Sequence, residues 1–179
     1  MDLRTERTIR SITNAFMALR KQKPLEKITI KELSELAYIN KATFYMHYHD
    51  IYDLSDQLED AFMNSVIKEL SHSHDFLSDP ALATKELIDV LISKNDIITT
   101  LFSDGRENYF TEKLNLTIQK KINSLYPNTQ DDLKTNILLS VIIQGCVYAF
   151  RKFDNGKNRE EVAQIIGEIN ECLKDRFLS

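Results

Sequence analysis

Glycine and proline are scarce in this chain, four and three among 179 residues. Folds with many strands need many tight turns, and tight turns draw on these residues, so the shortage excludes a sheet-rich architecture. Cysteine is scarcer still. Cys146 and Cys172 stand apart inside apolar helical patterns, without the spacing of a zinc site and too few for a disulfide framework. No uninterrupted apolar run approaches the roughly 20 residues of a membrane span, and the start "MDLRTERTIR" has no signal-peptide apolar region. The longest such run, "NILLSVIIQGCVYAF", is broken by Ser140, Gln144 and Gly145 and reads as a core or interface helix. A cytoplasmic protein in a reducing compartment, without a membrane segment, is the expectation. Catalytic signatures are missing too: no nucleophile with a base, no glycine-rich phosphate loop, no ligand cluster. No enzyme, no cofactor and no metal site is therefore expected.

What is present suits helices. Leu, Ile, Lys and Glu are abundant, and 42% hydrophobic with 28% charged residues is ordinary for a globular chain. The expected fold is all-α. Charge is divided unevenly: residues 1–50 hold nine Lys and Arg against six acids, an excess of +3, whereas the remainder holds 14 against 21, a deficit of −7. The acidic whole chain thus hides a basic N-terminal segment.

That segment is explicitly punctuated. Ile9, Ile12, Phe16 and Leu19 recur at helical spacing, predicting an amphipathic helix over 5–22 that ends before Pro24. In "ITIKELSELA", Thr29 is an N-cap with Glu32 three residues on, flanked by the staple pair Ile28 and Leu33, predicting a helix over about 30–37. Asn40 caps a third helix, with Ile39 and Phe44 repeating the staple. Two short helices so closely joined, with a longer one to cover them, outline a helix-turn-helix. Helical geometry puts Phe44 and Tyr48 on the inner face and Ala42, Thr43, Tyr45, Met46 and His49 on the other, with His47 flanking. Beyond it, helices are expected over a segment beginning at 51 and over 80–93, 95–103, 106–125, 131–153 and 159–177. The first of these, "IYDLSDQLEDAF", has no Gly or Pro.

Residues 9–54 resemble the DNA-binding module of the TetR family of transcriptional regulators. In "AYINKATFYMHYHDIYDL", Ala37, Ile39, Lys41, Thr43, Tyr45, Tyr48 and Leu54 fall in register with the family pattern. The likeness covers about a quarter of the chain. It implies a helix-turn-helix domain over 1–50 and a helical sensing and dimerisation domain over 51–179. It also implies a homodimer on a palindromic double-stranded DNA operator, a small-molecule effector of unidentified chemistry, and a repressor as the commonest outcome. The implied DNA-binding residues are Thr29, Lys31, Asn40, Lys41, Ala42, Thr43, Tyr45 and His47, with Lys31, Lys41 and Ala42 near base edges and Thr29, Thr43, Tyr45 and His47 on the phosphate backbone. Their chemistry agrees: hydroxyls, cations and capped helix starts suit phosphates, and Ala42 suits a thymine methyl. Two positions depart from the pattern. Tyr38 stands at the turn where the family has glycine, so a positive φ there carries strain. Ile51 replaces a basic residue and removes a phosphate contact.

Other readings are weighed beside this one. An activator or adaptor whose body binds a protein, or an interaction module that has lost DNA binding, would carry the same helices. Tyr48 is assigned to packing. His47 and His49 lie two apart and face different ways, which disfavours a shared metal. His72 and His74 read as solvated, and Asp131 and Asp132 as complements to a helix dipole. Phe62, Phe102, Tyr109, Phe110 and Tyr148 are read as core. The dimer is expected through helices 131–153 and 159–177, on stripes formed by Ile137, Val141, Gly145 and Tyr148 and by Val162, Ile166, Ile169, Leu173 and Phe177.

Overall fold

The computed structural model describes residues 3–70 and 75–178; His72 and His74 lie outside them. The described residues form nine α-helices and two 3-10 turns, with no strand among them. The chain divides into two compact units, Met1–Phe62 with Asp96–Glu107, and Met63–Asn95 with Asn108–Ser179. These packing units do not follow a cut at residue 50. The first takes in the larger part of the fourth helix, as far as Phe62, and a later excursion of the chain.

In the first unit, α1 (Leu3–Arg20) buries Ile12, Ala15, Phe16 and Leu19 along one stripe. A 3-10 turn over Leu25–Lys27 follows Pro24 and leads into α2 (Ile30–Leu36). Thr29 caps α2 by accepting from the Glu32 amide at 3.2 Å. The other arm of the expected capping box is diverted, because Lys23 Nζ donates to both Glu32 carboxylate oxygens at 2.7 Å. Residues 37–40 turn the chain into α3 (Lys41–Tyr45). This helix is shorter than expected: Met46 and His47 form a closing turn in which the His47 and Tyr48 amides both donate to the Phe44 carbonyl. Tyr48 is nevertheless buried, its ring 5.6 Å from that of Phe44.

Asp50 then caps α4 (Ile51–Glu69) by accepting from the Asp53 amide at 2.8 Å. Ile51 and Leu54 enter the core. The unit is completed by α6 (Asn95–Leu101) and the turn after it. That turn ends α6 earlier than its letters suggest, since Asp104 and Gly105 take φ of +63° and +83°. It also ties the unit together. Asp104 accepts from Arg20 of α1 at 3.0 Å, and Arg106 donates to the wholly buried Glu59 of α4 at 2.9 Å. Phe62 and Phe102 are buried beside each other.

The second unit contains α5 (Pro80–Ser93), α7 (Glu107–Leu125), α8 (Leu133–Phe153) and α9 (Arg159–Leu178). Asp79 caps α5 and Asp132 caps α8, each accepting first-turn amides. α5 and α9 meet at a small-residue crossing, where a β-carbon on Gly167 would lie 3.1 Å from the Ala81 Cα. Asn170 donates to Thr84 at 2.8 Å inside the same contact. Burial of one α8 face, including Leu139, Ile142, Ile143 and Cys146, builds the rest of the core. By length and composition α8 is long and apolar enough to cross a membrane. The core helix of a globular protein meets the same test, and one face of α8 is buried inside the chain.

Two sets of expected core or interface residues fall differently. Phe110 is buried, but Tyr109 and Tyr148 are exposed. On α9, Val162 and Ile166 pack inside the chain with Ala163 and Gly167, whereas Ile165 and Ile169 face outward. The exposed stripe is thus displaced from the expected one by one residue at its start. On α8 it stands as expected, with Ile137, Val141 and Tyr148 exposed and open space beside Gly145.

Candidate nucleic-acid interface

The α2 and α3 helices lock their inner faces by burying Leu33, Ala37, Phe44 and Tyr48. That fixes which side chains remain outside. Thr29, Lys31, Asn40, Lys41, Ala42 and Tyr45 are exposed, and Thr43 and His47 are half-buried. All eight lie in the first unit, and none is part of its core.

Asn40 does more than cap. Its Oδ1 accepts from the Thr43 amide at 2.7 Å and from the Thr43 hydroxyl at 2.9 Å. The Thr43 hydroxyl proton is therefore already used inside the protein. Toward a phosphate, which offers only acceptors, Thr43 has no donor left unless it releases Asn40. The amides of Glu32 and Thr43 are likewise given to caps, which leaves fewer helix-start donors for an anion than the sequence suggests. Lys31, Lys41 and the Tyr45 hydroxyl carry more of the available donor capacity. Tyr45 is held by an edge-to-face contact with Phe44, ring centroids 5.7 Å apart.

Spacing placed Met46 on this surface, but sequence reasoning missed the rest of its apolar share. Tyr38 is 95% and Met46 79% exposed, and Leu36 and Tyr52 are exposed as well. Tyr38 has φ +55°, the strained value its turn position calls for, and no side-chain burial compensates it. The signal was available: a non-glycine residue in a left-handed turn between two helices projects outward. Below the surface, burial followed by the nearby Asp53 carboxylate raises the Tyr48 pKa, so its phenol stays neutral. Asp53 itself is held below the usual carboxylate range, first by Gln57 and then by the His49 amide.

Of the basic residues that give this segment its excess, Arg20 is buried against Asp104 and Lys23 is paired with Glu32. Their charge is spent internally. Ile51, at the position where a phosphate-binding cation was lacking, serves the core instead. No grouping of three or more His, Cys, Asp or Glu with metal-binding geometry occurs among the described residues. Comparison with protein-family models, curated proteins and solved structures finds no match to this chain.

Proposed function

We propose that the chain is a sequence-specific DNA-binding regulator of transcription of the TetR type, with α2 and α3 as its helix-turn-helix. The observation that carries this reading is the α2–α3 pair. Its two apolar faces are buried, its four-residue connection contains a left-handed residue, and its outer face presents Lys31, Lys41, Ala42 and Tyr45 together. That combination suits a helix set into a major groove with cations and a phenol toward phosphates and a small residue toward base edges.

The exposed apolar stripes of α8 and α9 support a homodimer, because Ile137, Val141, Ile165 and Ile169 lie on the outside of the chain with nothing from it to cover them. A two-fold dimer reads a palindromic operator with half-sites about 34–36 Å apart, or somewhat more. In this reading the protein is a cytoplasmic repressor released by a small-molecule effector bound in the helical body, and the effector acts by binding two states of the body unequally.

A second reading, a helical interaction module without DNA binding, draws on the internal use of Arg20 and Lys23 and on the apolar Tyr38 and Met46. Selection of bound sequences from a random duplex library, followed by titration of salt, separates the two. A regulator enriches a two-fold symmetric motif and loses affinity as salt rises. An interaction module enriches nothing and binds duplex no better than an acidic control protein of equal size.

A further inference from the structure

A polar cleft of about 490 Å³ in the first unit lies between the end of α1 and the α6 segment, and none of the eight candidate DNA-binding residues lines it. Its lining includes the cations Arg20, Lys21 and Lys23, the carboxylates Asp96 and Asp104, and the hydroxyl of Ser103. Arg20 is the unusual member, since its side chain is wholly buried.

A guanidinium carries five N–H donors and keeps its charge at any accessible pH. In Arg20, Nη1 donates to Asp104 Oδ2 and to the Lys23 carbonyl, both at 3.0 Å, and Nη2 donates to Ser103 Oγ at 2.6 Å. Nε is buried with no hydrogen-bond partner. A wholly buried cation is thus balanced by one carboxylate that is itself 46% exposed. That carboxylate is carried on a strained backbone, with Asp104 at φ +63° directly before Gly105 at +83°. Asp104 Oδ2 also accepts from Ser103 Oγ at 2.9 Å; it is the exposed member of this cluster, and the cleft beside it gives an outside anion a way in.

We propose that this cleft binds a small multivalent oxyanion, a phosphate ester or a polycarboxylate, which takes the Arg20 guanidinium over from Asp104. Two oxygens of one anion match the Nη1–Nη2 edge of the guanidinium, where Nη1 now serves Asp104 and Nη2 serves Ser103, a pairing that a single carboxylate oxygen does not provide. Lys23 is held by Glu32, so Lys21 is the cation of the lining that adds to Arg20, and Asp104 is the carboxylate that moves. Release of Asp104 frees the turn whose Arg106 holds buried Glu59 of α4. Occupancy of the cleft is thereby passed to both α1 and α4 within the first unit.

The site does not rest on DNA binding, so its test is direct. The full chain is titrated calorimetrically with inorganic phosphate and, separately, with citrate, in chloride buffer at fixed ionic strength. At least one anion is expected to bind. Asp104→Asn keeps a residue that tolerates positive φ and removes only the competing charge; it should bind that anion several-fold more tightly, and its melting temperature, lowered in chloride, should recover when the anion is added. Arg20→Lys should weaken binding by about tenfold or more, since the fork is lost. Phosphate alone points to a phosphate ester, and citrate alone to a polycarboxylate. The proposal is overturned if neither anion binds up to roughly 10 mM, a free energy too small for a built site, or if Asp104→Asn binds no more tightly than the wild type. Should Arg20→Lys not fold, the Asp104→Asn comparison decides alone.

Discussion

Thr43 Oγ1 donates its proton to Asn40 Oδ1 at 2.9 Å, and the same oxygen receives the Thr43 amide at 2.7 Å. One side-chain oxygen thus starts α3 and also removes Thr43 from the set of phosphate donors. In the proposed interface this shifts weight to Lys41 and Tyr45. Lys41→Ala should weaken specific duplex binding by about 1–3 kcal/mol if it reads a base, whereas Tyr45→Phe should weaken all sequences evenly. Thr43→Val should cost less than Tyr45→Phe, and the reverse order in gel-shift titrations would show that Thr43 leaves Asn40 when DNA arrives.

Tyr38 offers a test of the turn alone. A left-handed conformation costs a non-glycine residue roughly 1–2 kcal/mol, and glycine avoids it. Because the Tyr38 side chain is almost fully exposed, its removal loses no packing. Tyr38→Gly should therefore stabilise the protein by about 0.5–1 kcal/mol after the entropy of glycine in the unfolded chain is allowed for. Tyr38→Val should destabilise it, since a β-branched residue tolerates positive φ worst. Urea denaturation of the three proteins checks the order.

Much of the helical pattern was legible because local rules set it. Thr29 and Asn40 cap α2 and α3 as their letters predict, and capping is decided within three residues; Asp132, read as a dipole complement, caps α8 as well. The inward placement of Phe44 and Tyr48 followed from spacing alone. What spacing does not carry is the partner of a long side chain. Lys23 taking Glu32, Arg20 taking Asp104 and Arg106 taking Glu59 depend on how distant segments pack, the last two across 84 and 47 positions. For the same reason the basic excess of residues 1–50 overstated the cations available on the surface. On α9, the choice between Ile165 and Ile166 as the outward residue turns on a rotation that the crossing of Gly167 over Ala81 fixes, and a stripe of apolar letters does not reveal that crossing.

Titration should limit stability at both ends of the pH scale. Asp53, Asp104 and Asp132 have folded values below the ordinary 3.8, held there chiefly by Gln57, Arg20 and Thr135 respectively. A depressed folded value means that the contribution is fully present above the unfolded pKa and is lost as pH falls through the folded one. Tyr48 is the opposite case, raised above 10.0 by burial, so its contribution is complete below that value and is lost as pH rises through the folded pKa. Thermal melts should hold steady from neutral pH down to the carboxylate range and then fall. Tyr48→Phe should remove part of the alkaline decline and leave the acid limb unchanged.

The two helical glycines of the second unit should respond oppositely to enlargement. A β-carbon added at Gly145 on α8 would meet nothing within 4 Å, whereas one added at Gly167 on α9 would stand 3.1 Å from the Ala81 backbone. Within one chain, Gly145→Leu meets open space, so helical content and monomer folding should survive it. Gly167→Leu forces α5 and α9 apart and should cost about 1–3 kcal/mol or more, as overpacking does. The proposed dimer makes Gly145 costly for a different reason. It lies on the same exposed stripe as Ile137, Val141 and Tyr148, four residues before Ala149, and small residues at that spacing let a partner helix approach closely. Wild-type protein is therefore expected to sediment as a dimer at micromolar concentration, and Gly145→Leu as a monomer with unchanged circular dichroism. The monomer should retain weak duplex binding through one half-site but lose the preference for a palindrome. A wild-type monomer, or a Gly145→Leu protein that dimerises as tightly as wild type, would remove the α8 stripe from the interface.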